Sequence, residues 1–379
     1  MSRQDRLALS LVVEPGDARL RDLLLVHEPR RILQSVRDRR PLDDRPVPAA
    51  WSERVADLDR RLELVTVRAT GAGLRWICPG GAGWPTALDD LDHVAPLNGV
   101  TGAPLGLWVR GVGDLAELCR QSAAVVGARE CTTYGAECAS EIGADLADGG
   151  WTVVSGAAFG IDGCAHRGAL SMARPTVAVL ACGADVDYPR AHSTLLDRIA
   201  ENGLVVSEQA PGERPMKGRF LSRNRIIAGL TLGTVVVEAA VRSGSLNTLN
   251  WADQLGRTTM AVPGPVTSRQ SGGTHEAVRG GRAVLVTSGK EVVGELSGLG
   301  VGPSESVMLP STEFDRLPPA ARATLDGLGW DRERSLTDLA TRARLSAREV
   351  RSALDLLERR GFAARRGDGW RLSRRADVS

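Results

Sequence analysis

The sequence predicts an α/β protein: an extended Rossmann-like, doubly wound, mainly parallel sheet with a small helical segment before it and a winged helix after it. Three observations carry that reading. Between about residues 105 and 290, seven short Val-rich runs alternate with longer amphipathic stretches, the pattern of repeated β-α units. The first 70 residues show helical spacing instead. The last 60 hold three helix patterns followed by a Gly-Asp-Gly turn, the order of a winged helix-turn-helix. A chain of 379 residues has room for two or three domains. Its 42% hydrophobic and 25% charged residues exclude disorder, collagen or coiled coil as the main architecture. There is no uncharged apolar stretch of about 18 residues to span a membrane. The short apolar run at the N-terminus soon meets Glu14, Pro15 and Asp17, which argues against a secretory signal and for the cytoplasm.

Taken in order, Leu20, Leu23, Leu24 and Leu25 open one apolar helical face, and Ile32, Leu33 and Val36 continue at helical spacing. A Pro-rich break at 41–50 separates them from Val55, Leu58 and Leu62. Gly/Pro-rich sequence runs from Gly71 to Pro104. Strands are predicted at 123–127, 151–155, 176–181, 204–207, 234–238, 258–262 and 283–287. They are continuous and Val-rich, as strands covered on both faces are. Helices are predicted at 133–148, 162–172, 190–202, 222–231 and 245–256. Residues 298–316 are rich in Gly, Pro and Ser without periodicity and read as a linker. Beyond it, one helix is predicted over 319–328 and a second from Ser335, with Leu336, Leu339, Ala340 and Ala343 on one face. A third starts at Ser346, where Glu349 completes a capping box and Val350, Ala353, Leu354 and Leu357 form the buried face. Residues 362–372 read as a hairpin turning at Gly367-Asp368-Gly369. The predicted domains are therefore 1–70, 77–297 and 319–375, with 298–318 as linker.

A net charge of +2 says little about partners, but its distribution is uneven. From Ala320 to Ser379 there are 14 Arg against 9 acidic residues, a local +5. Lys217 and Lys290 are the only lysines; that bias is what GC-rich codon usage produces, and it also suits phosphate contacts. The six cysteines include no C-x-x-C pair and no His at zinc-finger spacing. A disulfide framework or metal site is not expected, and no cofactor is implied.

The glycines and polar residues fall where ligands bind in an open parallel sheet, beyond the carboxyl ends of the strands. Those ends read Gly127-Ala128-Arg129, Ser155-Gly156-Ala157-Ala158-Phe159-Gly160, Cys182-Gly183, Ser207-Glu208, Glu238 and Pro263-Gly264. Glycine lets a backbone approach a phosphate, and the following helix N-terminus attracts negative charge. The loops are not a standard dinucleotide site, because neither G-x-G-x-x-G nor G-x-x-x-x-G-K-[ST] is present. Arg129 at the head of a helix is a fork donor for phosphate oxygens, or a partner for Glu130. Arg219, Arg223 and Arg225, with Asn224 between the last two, crowd the start of the helix predicted at 222–231. Three cations there oppose the helix macrodipole, which points to an anionic ligand. Arg190 begins another helix near the same edge. Phe159, Tyr188 and Phe220 either stack on bases or pack internally. His166 has no Ser or Cys in a triad with it and reads as structural; Asp162 and Glu238 read as orienting or oligomer-interface groups rather than as general acid and base.

The runs VVGARECTTYG, SGAAFGIDGCAHRGAL, TVAVLACGADVDYPRAH, VVSEQAPG, RFLSRNRIIAGL, VVVEAAVRSGSLNTLNWA and AVPGPV stand in this order over about residues 77–290. Together they resemble the DNA-processing protein A family (DprA, also called Smf). The resemblance implies a Rossmann-like domain that binds single-stranded DNA without catalysis. It implies a homodimer that protects incoming strands and helps load a RecA-type recombinase in natural transformation. It also implies a small helical domain (SAM or helix-hairpin-helix-like) at the N-terminus and, in many members, a C-terminal winged helix. By position, Arg129 matches the Arg of the family's Gly-Ser-Arg motif, Arg190 a basic residue after its Tyr-Pro, and Arg223 and Arg225 its Arg-Asn-Arg motif. Ala128 stands where the family has Ser, and Phe159 where a basic residue is common.

The expected binding set is Gly127, Arg129, Ser155, Gly156, Gly160, Arg190, Arg219, Arg223, Asn224, Arg225, Ser243 and Gly244. Phe159, Tyr188 and Phe220 are candidates for stacking. Arg348 and Arg351 on the third C-terminal helix, with Arg365 and Arg366 in the wing, are candidate DNA contacts on a module that equally serves protein contacts. Four phosphates held by Arg129, Arg190, Arg223 and Arg225 would give a log–log salt slope of roughly −3. The competing reading is a Rossmann nucleotide enzyme of phosphoribohydrolase type, although the Pro-Gly-Gly-x-Gly-Thr loop of that group is replaced here by VVVEAAVRSGSLNT.

Overall fold

The structure is a computed structural model that describes residues 3–297, 313–314, 316–329 and 332–373. The chain divides into two compact units, Met1–Ser304 and Glu305–Ser379. Most of the predicted linker, 298–312, lies outside the described residues.

The first unit opens with five helices: α1 (Arg3–Val12), α2 (Ala18–Leu24), α3 (Pro29–Asp38), α4 (Ala49–Val55) and α5 (Leu58–Gly71). Their ends follow local chemistry. Asp17 accepts the amides of Arg19 and Leu20 at the start of α2, and Pro29 occupies the first turn of α3, where its missing N–H costs nothing. Leu9, Val12, Ile32 and Val36 are buried in one apolar cluster together with Trp76, Trp108 and Leu180 of the following sheet.

That sheet has nine strands: β1 (Arg75–Ile77), β2 (Leu107–Gly111), β3 (Ser122–Val126), β4 (Thr152–Ser155), β5 (Thr176–Leu180), β6 (Leu204–Ser207), β7 (Gly233–Val236), β8 (Thr258–Ala261) and β9 (Val284–Leu285). The order is β1-β2-β6-β5-β4-β3-β7-β8-β9. All pairs from β6 to β9 are parallel, while β1–β2 and β2–β6 are antiparallel. The predicted α/β class with a mostly parallel sheet is thus present. The antiparallel β1 and β2 were not predicted: both lie beside or within the Gly/Pro-rich stretch, where three to five residues leave no alternation to read. The last predicted strand shrinks to the two exposed residues of β9.

Between the strands run α6 (Leu115–Cys119), α7 (Thr133–Asp148), α8 (Ile161–Ser171), α9 (Ser193–Asn202), α10 (Lys217–Gly229), α11 (Ser245–Gln254), α12 (Gly272–Arg279) and α13 (Gly289–Leu296). Residues of α10 and α11 pack with Val126, Val154 and Val236 on one face. Those of α7, α8 and α13 pack with Val125, Val153 and Val235 on the other. Alternate residues of each strand therefore serve opposite layers. From β3 the chain first builds outward through β4, β5 and β6, then returns to β3's other side with β7. The loops after β3 and β7 consequently diverge, which opens a crevice at the switch point.

The second unit contains α14 (Pro319–Gly327), α15 (Leu336–Ala343) and α16 (Ala347–Arg359), followed by the antiparallel pair β10 (Ala363–Arg366) and β11 (Gly369–Leu372). Ser346 and Glu349 form the capping box of α16. Leu325, Leu339, Val350, Leu354 and Leu357 make this unit's own core.

Candidate nucleic-acid interface

Three loops and one helix converge on the crevice. In the first loop, Gly127 lies so close to α8 that a Cβ would come within 2.6 Å of Ile161 Cγ1, and Ala128 donates its amide to the Glu238 carbonyl at 2.7 Å. Glu238 also accepts the Thr132 amide at 2.9 Å and the Thr132 hydroxyl at 2.6 Å. This buried carboxylate ties the β3 loop to the end of β7, as an orienting group should. Arg129, held between these anchors, is exposed, and its guanidinium lies 4.6 Å from the Phe220 ring centre, within cation–π range.

In the second loop, a Cβ on Gly156 would overlap the Arg223 guanidinium. Gly160 takes φ +75 against the Ala128 carbonyl, where a Cβ has no room. Gly156 donates its amide to Asp162 at 3.2 Å. Ser155 points away: its hydroxyl is buried and donates to the Val125 carbonyl at 2.6 Å. Ser155 shapes the loop from within, which corrects the expectation that it faces a ligand.

The helix α10 carries the arginines, and here the structure corrects the sequence most. It begins at Lys217 rather than at 222, so Arg223 and Arg225 lie in its middle, not at its head. Arg225 is fully buried, with a two-pronged ion pair to Glu208 at 2.9 and 2.8 Å. Arg219 pairs with Glu213 at 2.9 Å and Glu14 at 3.2 Å. Burial works against its charge, but these hydrogen bonds prevail and its pKa is raised. Neither guanidinium lines the crevice. Both are neutralised by carboxylates from other elements, so neither is an open phosphate donor.

Arg223 differs. It is 7% exposed and donates Nη1 to the Val179 carbonyl at 2.9 Å, with no ion pair among the described residues; its Nε is unpartnered, as are those of Arg219 and Arg225. Burial lowers its pKa, and Asp162 opposes that shift without a direct ion pair. Asp162 is itself raised by burial, an effect that Arg223 counters. A buried cation without a carboxylate in contact is costly unless an anion completes it. His166 sits behind this layer, bonded through Nδ1 to Thr176 at 2.8 Å, and burial drives its pKa down to about 3. It is neutral and structural.

Around Arg223 a cavity of about 250 Å³ is lined by Gly127, Arg129, Asp162, Phe220, Asn224, Ser243, Gly244 and Thr248. Asn224 donates to the Gly244 carbonyl at 3.2 Å, and the Ser243 and Ser245 hydroxyls lie 2.8 Å apart at the start of α11. A neighbouring cleft joins Arg129, Gly156, Phe159, Tyr188, Phe220 and Arg223. Phe159 is 48% and Tyr188 39% exposed; Phe159 meets His192 edge-on at 5.0 Å, and Tyr188 lies 5.8 Å from Phe220. Arg190 is exposed but lines neither space. Of the four expected arginines, the structure brings together Arg129 and Arg223. Asp162, expected as an orienting or oligomer-interface group, lies on the cavity wall, and its burial beneath Arg223 leaves no mark in the sequence. In the second unit, Arg348, Arg351, Arg365 and Arg366 are all exposed.

Residues 76–297 match the family described as DNA recombination-mediator protein A. The DNA processing protein DprA of Streptococcus pneumoniae is 43% identical over 207 residues, 54% of this chain and 72% of that protein. The crystal structure of the Streptococcus pneumoniae protein aligns with a TM-score of 0.63 at 32% identity, covering 78% of this chain and 99% of that one. DNA processing protein A of Helicobacter pylori, whose structure concerns its single-stranded DNA binding mode, aligns with a TM-score of 0.50 at 26% identity, covering 59% and 96%. Among the described residues no helix is long and apolar enough to cross a membrane.

Proposed function

The chain belongs to the DNA recombination-mediator protein A family, and from that premise we propose that its first unit is a non-catalytic, cytoplasmic holder of single-stranded DNA acting in DNA uptake and recombination. One observation carries the reading: a buried arginine, Arg223, that has no ion-paired carboxylate among the described residues and lines a cavity that the exposed Arg129 also lines. A phosphate of the strand supplies the missing counterion to Arg223, and Arg129 closes over it from the mouth. Arg190 offers an outer contact. The Ser243–Ser245 turn adds hydroxyls and the N-terminus of α11. Phe159, Tyr188 and Phe220 offer ring faces to bases, and stacking of this kind tolerates any sequence. The similarity to the Helicobacter pylori protein supports the choice of an unpaired strand.

The carboxylates near the cavity are spent on backbone: Asp162 on the Gly156 amide and Glu238 on Thr132. That supports binding over hydrolysis. Pairing of two copies is proposed from the family resemblance, with β9 as the surface that fits it, an edge strand with Val284 and Leu285 both exposed. Delivery of the strand to a RecA-type recombinase is the form we propose for the recombination mediation in the family's description. The three helices and hairpin of the second unit are proposed to be a winged helix.

A salt titration of single-strand binding tests the core reading. Three contacts, Arg129, Arg190 and Arg223, predict a slope of about −2 at about −0.7 each. Arg129→Ala lowers both affinity and slope. Unchanged affinity in Arg129→Ala and Arg223→Ala, with the fold intact, would overturn it, and release of base from nucleoside monophosphates would favour the phosphoribohydrolase reading instead.

A further inference from the structure

We propose that the second unit is a separate duplex-DNA site, in which the exposed ridge of α16 enters a groove and the β10–β11 hairpin rests on the adjoining backbone. The proposal rests on the winged-helix reading of that unit and stands apart from the single-strand reading of the core.

Helix α16 has a buried and an exposed face. Val350, Ala353, Leu354 and Leu357 are buried. At 100° per residue the opposite side is Arg348, Ser352, Asp355 and Arg359, with Arg351 on its flank, and all five are exposed. Position then separates used charges from free ones. On α15, Asp338 engages Arg334 at 3.0 Å and Arg342 at 3.3 Å. On α16, Glu349 is turned back to Ser346, accepting its amide at 2.8 Å and its hydroxyl at 2.7 Å. That leaves Arg348 and Arg351 without an ion pair among the described residues, as it does Arg365 and Arg366 on the hairpin.

Free arginines in the first turns of a helix oppose its macrodipole and add nothing to folding. Their position is the one from which a recognition helix reaches base edges and phosphates. Arg348 and Arg351 stand in the N-terminal half, while the second half mixes the acidic Asp355 and Glu358 with Arg359. The face is also wrong for a protein partner. In this unit Phe314 is the only large apolar side chain that is strongly exposed among the described residues, and it lies before α14. Protein interfaces centre on buried aromatic and apolar groups, whereas DNA interfaces are polar and positive.

The test uses the full chain, a blunt 20-base-pair duplex of mixed sequence and an unpaired strand of equal length, read by fluorescence anisotropy across salt. We expect Arg348→Glu with Arg351→Glu to lower duplex affinity tenfold or more. Arg348→Ala with Arg351→Ala should lower it less and cut the duplex salt slope by nearly two, at about 0.9 per phosphate contact. Arg365→Ala with Arg366→Ala should act in the same direction. Single-strand affinity should stay within twofold in all three, while Arg129→Ala should do the reverse. Unchanged thermal unfolding in the alanine pairs keeps a folding defect from mimicking the loss. No duplex binding by the wild type, or duplex affinity unchanged in every pair, would overturn the proposal, and the ridge would then belong to an acidic protein surface. Failure of Arg129→Ala to weaken the single strand would count against the core reading alone.

Discussion

Two turns of α10 use the same residue for opposite ends. Arg225 points to a carboxylate that matches it, Glu208, and disappears into the protein. Arg223, two residues earlier and on another side of the helix, meets a carbonyl, a distant carboxylate and a cavity. Arg219, a turn before, is held by two acids from other segments. The guanidinium is the same in each case; what differs is how fully its surroundings answer it. A matched arginine is a strut that fixes the helix. An under-matched one, kept in place by that strut, is a binding group.

The comparison breaks hardest at the strut. Glu208→Gln should leave Arg225 charged and buried without its counterion, costing about 3–5 kcal/mol of stability, measured by urea unfolding. Single-strand binding should fall only as far as the unfolded fraction rises. A stability near wild type would show that Arg225 is not locked as described.

Next comes the floor of the cavity. Gly156→Ala places a methyl where the Arg223 guanidinium lies. It should displace that group and weaken single-strand binding by about tenfold, or ~1.4 kcal/mol, with a smaller loss of stability. Retained affinity would mean that Arg223 is not a contact.

The contrast between free and matched arginines sharpens with a pair of variants. Arg129→Ala should reduce the salt slope by about 0.7 and leave unfolding unchanged. Arg219→Ala should leave the slope unchanged and cost about 1 kcal/mol or less, since its partners are partly exposed. Equal slope changes would erase the distinction.

The smallest effect is that of pH. Burial raises the Asp162 pKa above the usual carboxylate range. The folded state therefore takes up this proton before the unfolded chain does, and the contribution of the group to stability grows as pH falls through its folded value. Protonation also removes a negative charge beside Arg223, so single-strand affinity should rise on mild acidification. Asp162→Asn should flatten that rise in a titration by anisotropy; an unaltered profile would place the effect elsewhere.

Much of the architecture was legible. The Val-rich runs at 123–127, 151–155, 176–181, 204–207, 234–238 and 258–262 coincide with β3 to β8 within a residue or two, because a strand covered on both sides has no polar face to blur it. The glycines at 127, 156 and 160 marked close approaches that the structure contains. The site was legible as a region and less so as a list. Arg129 and Arg223 line the cavity, and Asn224, Ser243 and Gly244 accompany them. Arg219 and Arg225 were misplaced as open donors, because the start of α10 was read five residues late and their acids lie elsewhere in the chain.

What the sequence alone determined is what local pattern encodes: the alternation of strands and helices, the tight turns, the Ser346–Glu349 cap and the clustering of polar loops at one sheet edge. Periodicity reports which side of an element is covered, and glycine reports where the backbone has no space. Neither reports which charge stands opposite which. Glu14 meets Arg219 across 205 residues of chain and Glu208 meets Arg225 across 17. Only the tertiary structure made those pairings, and by making them it left Arg223 under-matched at the cavity. Coulomb attraction depends on distance in space and on the water excluded between the groups, and the order of residues along the chain carries neither.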